Sequence, residues 1–210
     1  MDKDKIQQVI HQLERNNFEV FLAEDTQAAK TIFETQIVPT LEFASASYGD
    51  SMTMLQTGVL ELLKGMPSVE FIDTFNPAEP RSEQIKNRKR ALTADLFLTG
   101  TNAITEAGQL VNLDMVGNRV APIVFGPRKV VLFIGVNKIV ENLDEAFKRI
   151  KTIAPLNVAR HKDLKTPCQT TGVCNDCRSP QRICNSWTIT EKSYPKHRIK
   201  IILINQELGL

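Results

Sequence analysis

The four cysteines are the residues of this chain whose type and spacing most directly suggest chemistry. They are Cys168, Cys174, Cys177 and Cys184, and the gaps between them are five, two and six residues long. The two-residue gap lets neighbouring thiolates turn toward one centre, and four thiolates can close a zinc site or hold an iron–sulfur cluster. Zinc sites usually pair two close couples of ligands, whereas this chain has one such couple. The spacing therefore favours an iron–sulfur cluster of the [4Fe-4S] type, with zinc as the alternative.

Two other interpretations of the cysteines stay open: four reduced thiols without a metal, or two disulfides. The first residues are polar and helical in pattern, without the features of a secretory signal. We therefore expect a cytoplasmic location, where thiols remain reduced and disulfides are rare. His161 lies close enough in sequence to be an alternative ligand, and Arg178 and Arg182 would offset the negative charge of thiolates.

A second group of candidate residues follows a short apolar run at 96–98. In open α/β sheets, ligands bind at the carboxyl ends of the strands, where small polar residues expose backbone amides. Glu106 stands two residues before Gly108 on a predicted tight turn and is the candidate catalytic residue. Asn and Gly also form turns without any function, which is the competing explanation here. The candidate ligand-binding residues of this stretch are Thr99, Gly100, Thr101, Asn102, Gly108, Asn118 and Arg119.

Gly49, Asp50 and Ser51 complete the candidate binding residues. They lie between a predicted strand at 41–44 and a helical pattern at 52–63. Backbone amides at such a junction can receive an anion. An ordinary helix cap is the alternative interpretation.

The elements that must position these residues alternate between strands and helices. Residues 130–134 are apolar without alternation, which is typical of a strand buried on both faces in a parallel sheet. The pattern predicts an α/β layer fold with helices on both faces of the sheet. Residues 161–186 are predicted to form a cysteine-rich metal-binding loop that lies on the sheet, within a single domain spanning 1–210. Further predicted strands are 19–22, 69–72, 187–189 and 199–204, the last two in the main sheet, and a further helix is 143–153.

The amino-acid composition of the chain excludes several functional classes. Hydrophobic residues make up 42% and charged residues 24% of the 210-residue chain, which are ordinary globular values. The formal net charge is only +2, so no nucleic-acid footprint is predicted. No apolar run approaches the roughly 20 residues that a membrane span needs.

Several stretches resemble the lactate-utilisation (LUD) domain family, over roughly residues 5–155. The central stretch from Thr99 to Asp114 is the most specific, and the cysteine segment resembles that of a subgroup of short family members. The other matching stretches are 49–53, 117–120, 125–131 and 134–140.

The resemblance implies a three-layer α/β/α fold with a mostly parallel central sheet, similar to ribose-5-phosphate isomerase and the coenzyme A transferases. In the transferases a Glu-x-Gly turn carries the nucleophile, and Glu106-Ala107-Gly108 is similar in form. The resemblance also implies a lactate-utilisation-type redox accessory protein. Its expected partners are components of a lactate-oxidising system or another oxidoreductase, with a small carboxylate as a possible ligand at Arg119, Arg128 and Lys129. A homodimer is a further expectation from the fold class.

Two alternative functions remain at this point. One is a coenzyme A transferase-like or sugar-phosphate isomerase-like enzyme that uses Glu106 as nucleophile or base. The other is a binding module stapled by structural zinc.

Overall fold

A computed structural model describes residues 2–160 and 163–210 of the chain. Its strands form two sheets, one of six strands and one of four. The strands of the main sheet are β1 (Glu19–Ala23), β2 (Ser45–Tyr48), β3 (Glu70–Ile72), β4 (Leu96–Thr99), β7 (Lys129–Gly135) and β10 (Ile199–Ile204). The strands of the second sheet are β5 (Ala103–Thr105), β6 (Leu110–Asp114), β8 (Ile139–Val140) and β9 (Ser186–Thr190).

The main sheet is parallel throughout, in the order β1-β10-β7-β4-β2-β3. Its central strand β7 is buried from Val130 to Gly135, as the unbroken apolar run predicts. Side chains alternate between the two faces, so that Val130 and Leu132 enter one core and Val131 and Phe133 enter the other.

Helices cover both faces of the main sheet. The helix α1 packs on one face through Ile6, Val9 and Leu13, and α2 to α4 line the core on the other face. The predicted three-layer α/β/α arrangement is thereby confirmed. The helices are α1 (Lys3–Arg15), α2 (Thr26–Ile32), α3 (Met52–Gln56), α4 (Val59–Lys64), α5 (Arg81–Arg90), α6 (Val120–Val124), α7 (Leu143–Ala159) and α8 (Pro167–Thr171).

The second sheet forms a separate small layer, in the order β8-β5-β6-β9. One of its faces packs on α7, where Ala103 and Val111 meet Ala146 and Ile150. This layer carries the polar residues that follow β4 along the chain.

Several predicted elements are corrected by the structure. The strand expected at 41–44 begins at Ser45 instead, where the backbone and hydroxyl of Ser45 bind the carboxylate of Asp95. The helical pattern at 52–63 is divided into two helices by Gly58, which has a φ of +70°. The polar stretch after β4, in which no strand was predicted, contains β5 and β6, which pair as an antiparallel hairpin.

The carboxyl-terminal part of the chain departs further from expectation. Strand β9 pairs with β6 in the second sheet, so the prediction that both tail strands join the main sheet is wrong for β9. The helix α7 continues through Pro155 to Ala159, because Ala154, Pro155 and Val158 are buried and their packing offsets the missing backbone donor. The cysteine segment contains a short helix, α8, and packs on α7 rather than on the main sheet.

No helix in the described ranges combines the length and the apolar character required to cross a membrane.

Candidate functional site

A polar cleft lies at the carboxyl edge of the main sheet. Strands β2, β4 and β7 are parallel neighbours, so the residues that follow them meet at one edge. Asp50 follows β2, Gly100 follows β4 and Lys138 follows β7, and all three line the cleft. Sheet topology therefore brings together residues that are far apart in the sequence.

The cleft has two adjoining parts. The larger is a cavity of about 250 Å³ that reaches α5 and α7, and the smaller is a cavity of about 100 Å³ around Lys138. Residues that line both parts are Asp50, Asn102, Leu113, Arg119, Ile153 and Asn157.

Arg119 is the centre of the cleft's hydrogen-bond network. Its Nη1 donates to Asn112 Oδ1 at 2.6 Å, and its Nη2 donates to Asn102 Oδ1 at 2.7 Å and to the Leu113 carbonyl at 2.9 Å. The Asp114 carboxylate lies 3.7 Å from Nε. Burial lowers the pKa of Arg119, and the charges of Asp114 and Asp50 oppose that shift. The guanidinium therefore fixes the loops around the cleft as well as supplying positive charge.

The backbone around Gly100 is packed too closely for a side chain. A Cβ there would lie 2.5 Å from Ser51 Oγ and 3.1 Å from the Phe133 carbonyl. Beside it, Thr99 Oγ1 is buried without a hydrogen-bond partner among the described residues. The glycine thus lets the loop after β4 approach the start of α3, where Ser51 caps the helix.

Lys138 is a buried cation at the base of the smaller cavity. Its Nζ donates to Thr53 Oγ1 at 2.9 Å, and within the described part of the chain no carboxylate forms an ion pair with it. Burial lowers the pKa of Lys138 to about 7, and the charges of Arg149 and Arg119 contribute in the same direction. A lysine in this state is about half neutral at pH 7 and can act as a nucleophile or a base.

The larger part of the cleft is lined by further arginines from α5 and α7. Arg88 stacks on the Phe75 ring at 4.7 Å, and its pKa is lowered first by burial and then by the charge of Arg81. Arg149 donates to the carbonyls of Asn137, Asn102 and Leu210. Excess positive charge in a cleft attracts anions.

The four cysteine side chains line one small cavity beside α7. All four are free thiols, and the cavity of about 20 Å³ between them is closed by Ala154 and Val158 of α7. Cys168 is buried in α8, with the Thr166 hydroxyl 3.3 Å from its sulfur. The segment folds so that cysteines up to 16 positions apart face a common space.

The cysteines also interact electrostatically. The pKa of Cys184 is raised to about 11, first by burial and next by the charge of Cys174. Arg182 lies in the same cavity, where it donates to the Cys177 carbonyl at 2.6 Å while its Nε is buried without a partner among the described residues. Across the described ranges, no three His, Cys, Asp or Glu side chains are already grouped as a metal-ion site.

The four free cysteines line one cavity and could supply four sulfur ligands to a bound group, and the buried Arg182 Nε has no partner among the described residues. His161, the alternative ligand, lies outside the described residues.

Most of the predicted binding residues gather at the cleft. Thr101 donates to Asn112 Oδ1 at 3.1 Å behind Arg119, and Gly49 packs against the side chains of Thr99 and Arg119. The predicted residues that line the cleft are Asp50, Ser51, Gly100, Thr101, Asn102, Asn118 and Arg119.

Glu106 and Gly108 lie elsewhere, on the turn between β5 and β6. The Glu106 carboxylate pairs with Lys5 of α1 at 2.5 Å, and it does not line the cleft. Gly108 has a φ of +78°, and Asn16 donates to its carbonyl at 3.2 Å. The role of Glu106 as a catalytic group remains a prediction, and its position at the far end of the second sheet lends it no support.

Arg128 and Lys129 also lie away from the cleft, at the start of β7. Arg128 is 3.8 Å from the Asp95 carboxylate, and Lys129 donates to the His197 carbonyl. Since β7 ends at the cleft, these two residues are at the opposite edge of the sheet.

Sequence reasoning missed five cationic residues that line the cleft: Arg81, Arg88, Lys138, Arg149 and Arg160. Lys138 lies in a stretch that matches the family, where Val136 and Ile139 flank the polar pair Asn137-Lys138, and that position was a usable signal of a buried charge. The arginines belong to charged helices, where nothing in the pattern separates them from surface residues.

Comparison with known proteins agrees with the resemblance noted in the sequence. The family model described as LUD domain matches residues 6–204. No curated protein matches the chain. Among solved structures, the chain is similar to a crystal structure of a DUF162 family protein from Deinococcus radiodurans, with 13% identity, 96% of each chain covered and a TM-score of 0.49. Because the family model spans nearly the whole chain, the chain belongs to the LUD domain family.

Proposed function

We propose that this chain is a redox accessory protein of lactate-utilisation type, which binds an iron–sulfur cluster through Cys168, Cys174, Cys177 and Cys184. The polar cleft would bind a small carboxylate, and the partner would be an oxidoreductase of a lactate-oxidising system. Membership of the LUD domain family supports a function related to lactate utilisation.

The observation that carries this proposal is the position of Cys184. It lines the cysteine cavity, and it also lines the larger part of the cleft together with Ile183 and Ala154. A thiol-rich site and an anion-attracting site therefore share one wall. A shared wall would hold a redox group at the cysteines close to a small molecule in the cleft, which favours electron exchange between them.

The charge distribution of the cleft supports a carboxylate as ligand. Arg81 and Arg88 lie close enough for the charge of Arg81 to lower the pKa of Arg88, and neither forms an ion pair among the described residues. An anion between them would relieve their repulsion. Arginine binds carboxylates through two parallel hydrogen bonds, which also orients the ligand.

The cysteine segment supports a group held by four thiolates. When bound, such a cluster accepts and donates single electrons. The chain's own contributions are the four sulfurs, the Arg182 guanidinium that offsets their charge, and the apolar residues of α7 that exclude water.

The test is iron and sulfide content in matched variants purified without oxygen. Cys184→Ser is expected to lose most of the iron and the visible absorption. Ser179→Ala changes the same segment without removing a thiol and is expected to keep both. Equal iron in the two variants would contradict the assignment of Cys184 as a ligand.

A second measurement tests the cleft. Lactate and pyruvate are titrated into the loaded protein, and binding is followed by calorimetry and by the visible spectrum. The variant Arg81→Gln/Arg88→Gln is expected to weaken carboxylate binding at least tenfold, about 1.4 kcal/mol, while its iron content is unchanged. Undiminished binding in that variant would overturn the assignment of the arginine pair.

A further inference from the structure

A covalent role for the buried lysine of the cleft follows from its surroundings. We propose that Lys138 is a nucleophile that condenses reversibly with the carbonyl group of a small oxo acid bound in the smaller cavity. The inference rests on the proposed binding of a small carboxylate in the cleft and is independent of the cysteines.

The Lys138 amine is buried and has no ion-pair partner among the described residues. It is 6% exposed, yet its described hydrogen-bond partner is a neutral hydroxyl, that of Thr53. A buried ammonium without a carboxylate is costly, so the uncharged amine is favoured. A free lone pair on nitrogen is the requirement for attack on a carbonyl carbon.

The Lys138 amine is held in place by the Thr53 hydroxyl and by the backbone of Gly209. Thr53 Oγ1 donates to the Leu208 carbonyl at 3.2 Å, which leaves its lone pairs to accept from Lys138. The backbone of Gly209 covers the amine, since a Cβ there would lie 3.2 Å from Nζ. Lys138 also lines the cavity of about 100 Å³, which is the space from which we expect a ligand to reach the amine.

The charged groups around Lys138 are mostly positive. Arg119 and Arg149 both act on it electrostatically, and Arg160 lines the same cavity. Asp50 is the one acidic side chain among the described lining residues. This excess of positive charge selects a carbonyl compound that also carries an anionic group. The class is therefore a small oxo acid rather than a neutral aldehyde or ketone.

The reaction balances without an added oxidant or reductant. The neutral amine of Lys138 attacks the carbonyl carbon, and a carbon–nitrogen bond forms as the carbonyl oxygen takes up a proton. The nitrogen loses its protons and the hydroxyl leaves as water, which gives the imine. Asp50 lines the same cavity and is the group that we assign to transfer the protons.

The test is reductive trapping with pyruvate as the probe and cyanoborohydride as the reductant, followed by peptide mass spectrometry. Wild-type protein is expected to carry one reduced pyruvate on Lys138. Lys148→Met, which removes an exposed lysine of α7, is expected to be labelled as well as wild type. Lys138→Met is expected to lose the adduct. At pH 7 the neutral fraction of Lys138 exceeds that of an ordinary lysine roughly a thousandfold, so labelling should be specific.

Two controls distinguish the imine on Lys138 from the proposed binding of a small carboxylate in the cleft. Acetone, which has the ketone without the carboxylate, is expected to label Lys138 far more weakly than pyruvate. If calorimetry shows pyruvate binding and no adduct forms on Lys138, the imine is overturned while the carboxylate site stands. If pyruvate neither binds nor labels, both are overturned. Labelling spread over exposed lysines would also overturn the imine.

Discussion

The cleft and the cysteine segment are built in opposite ways. In the cleft, parallel strands fix the loops and Arg119 satisfies the surrounding carbonyl and amide oxygens. In the cysteine segment a five-residue helix and turns present four free thiols to a cavity, with Arg182 Nε left without a partner among the described residues. The comparison shows that the oxygens around Arg119 find their hydrogen-bond donor within the chain, whereas Arg182 Nε in the cysteine segment finds no acceptor among the described residues.

The largest expected effect is a loss of folding stability when the hydrogen-bond network around Arg119 is broken. Arg119→Met leaves the Asp114 carboxylate and the oxygens of Asn102 and Asn112 without their cationic partner. Breaking a buried charged network of this kind costs about 3 kcal/mol or more. Urea unfolding measures the loss, and Arg160→Met, at an exposed arginine, is the control with an expected change within about 0.5 kcal/mol. A loss as small for Arg119 as for Arg160 would show that the cleft is not held by this network.

A smaller effect is expected on the dependence of folding stability on pH. Burial lowers the pKa of Lys138 to about 7 in the folded chain, whereas an unfolded lysine titrates near 10.4. Between those values the unfolded chain binds more protons, so this group makes stability rise with pH, by about 2 kcal/mol from pH 7 to pH 9. Lys138→Met should remove that part of the rise, and Lys148→Met should keep it. Identical pH profiles for wild type and Lys138→Met would contradict the buried, unpaired state of the amine.

A weaker effect is expected where the cysteine segment meets α7. Lys151 of α7 pairs with Asp176, which lies between Cys174 and Cys177, and both side chains are exposed. Lys151→Met should make proteolytic cleavage within the segment at most a few-fold faster, with global unfolding unchanged. Lys148→Met, which breaks a pair within α7, should leave cleavage unchanged. A large loss of global stability in Lys151→Met would mean that the segment belongs to the same cooperative unit as the cleft.

The smallest effect is expected outside both regions. Glu106→Gln weakens the exposed pair with Lys5 and should cost less than about 1 kcal/mol. Carboxylate binding, iron content and the Lys138 adduct should all be unaffected. Loss of the adduct or of carboxylate binding in Glu106→Gln would restore this residue as a catalytic candidate.

The sequence predicted the features that depend on local pattern. The unbroken apolar run of β7 indicated a buried parallel strand, and the carboxyl end of the apolar run at 96–98, which is β4, indicated where polar residues would gather. Strand β2 was displaced in the prediction because its Ser-Ala-Ser-Tyr sequence is buried by tertiary contacts, among them the bond from Ser47 Oγ to the Ile72 carbonyl. The β5–β6 hairpin was missed because Thr99 to Asn102 resemble an extended loop, and only the pairing of Ala103 with Val111 makes the next residues a strand.

The residues of the candidate site show the same difference between features that the local sequence pattern predicts and features that depend on tertiary contacts. Asp50 was found because it lies between a predicted strand and a predicted helix, and Arg119 because it belongs to the polar stretch that follows the apolar run at 96–98. Lys138 was not singled out, since its low pKa arises from burial and from Arg149 and Arg119, which the fold brings beside it. The approach of Cys184 to the cleft likewise depends on how the segment packs against α7.

The most direct test of the redox proposal is the iron and acid-labile sulfide content of the wild-type protein, purified without oxygen and examined by visible spectroscopy. If the four cysteines hold a [4Fe-4S] cluster, we expect a brown protein with about four irons and four sulfides per chain. A colourless protein with one zinc and no redox response, or one that binds neither metal after anaerobic reconstitution, would contradict it.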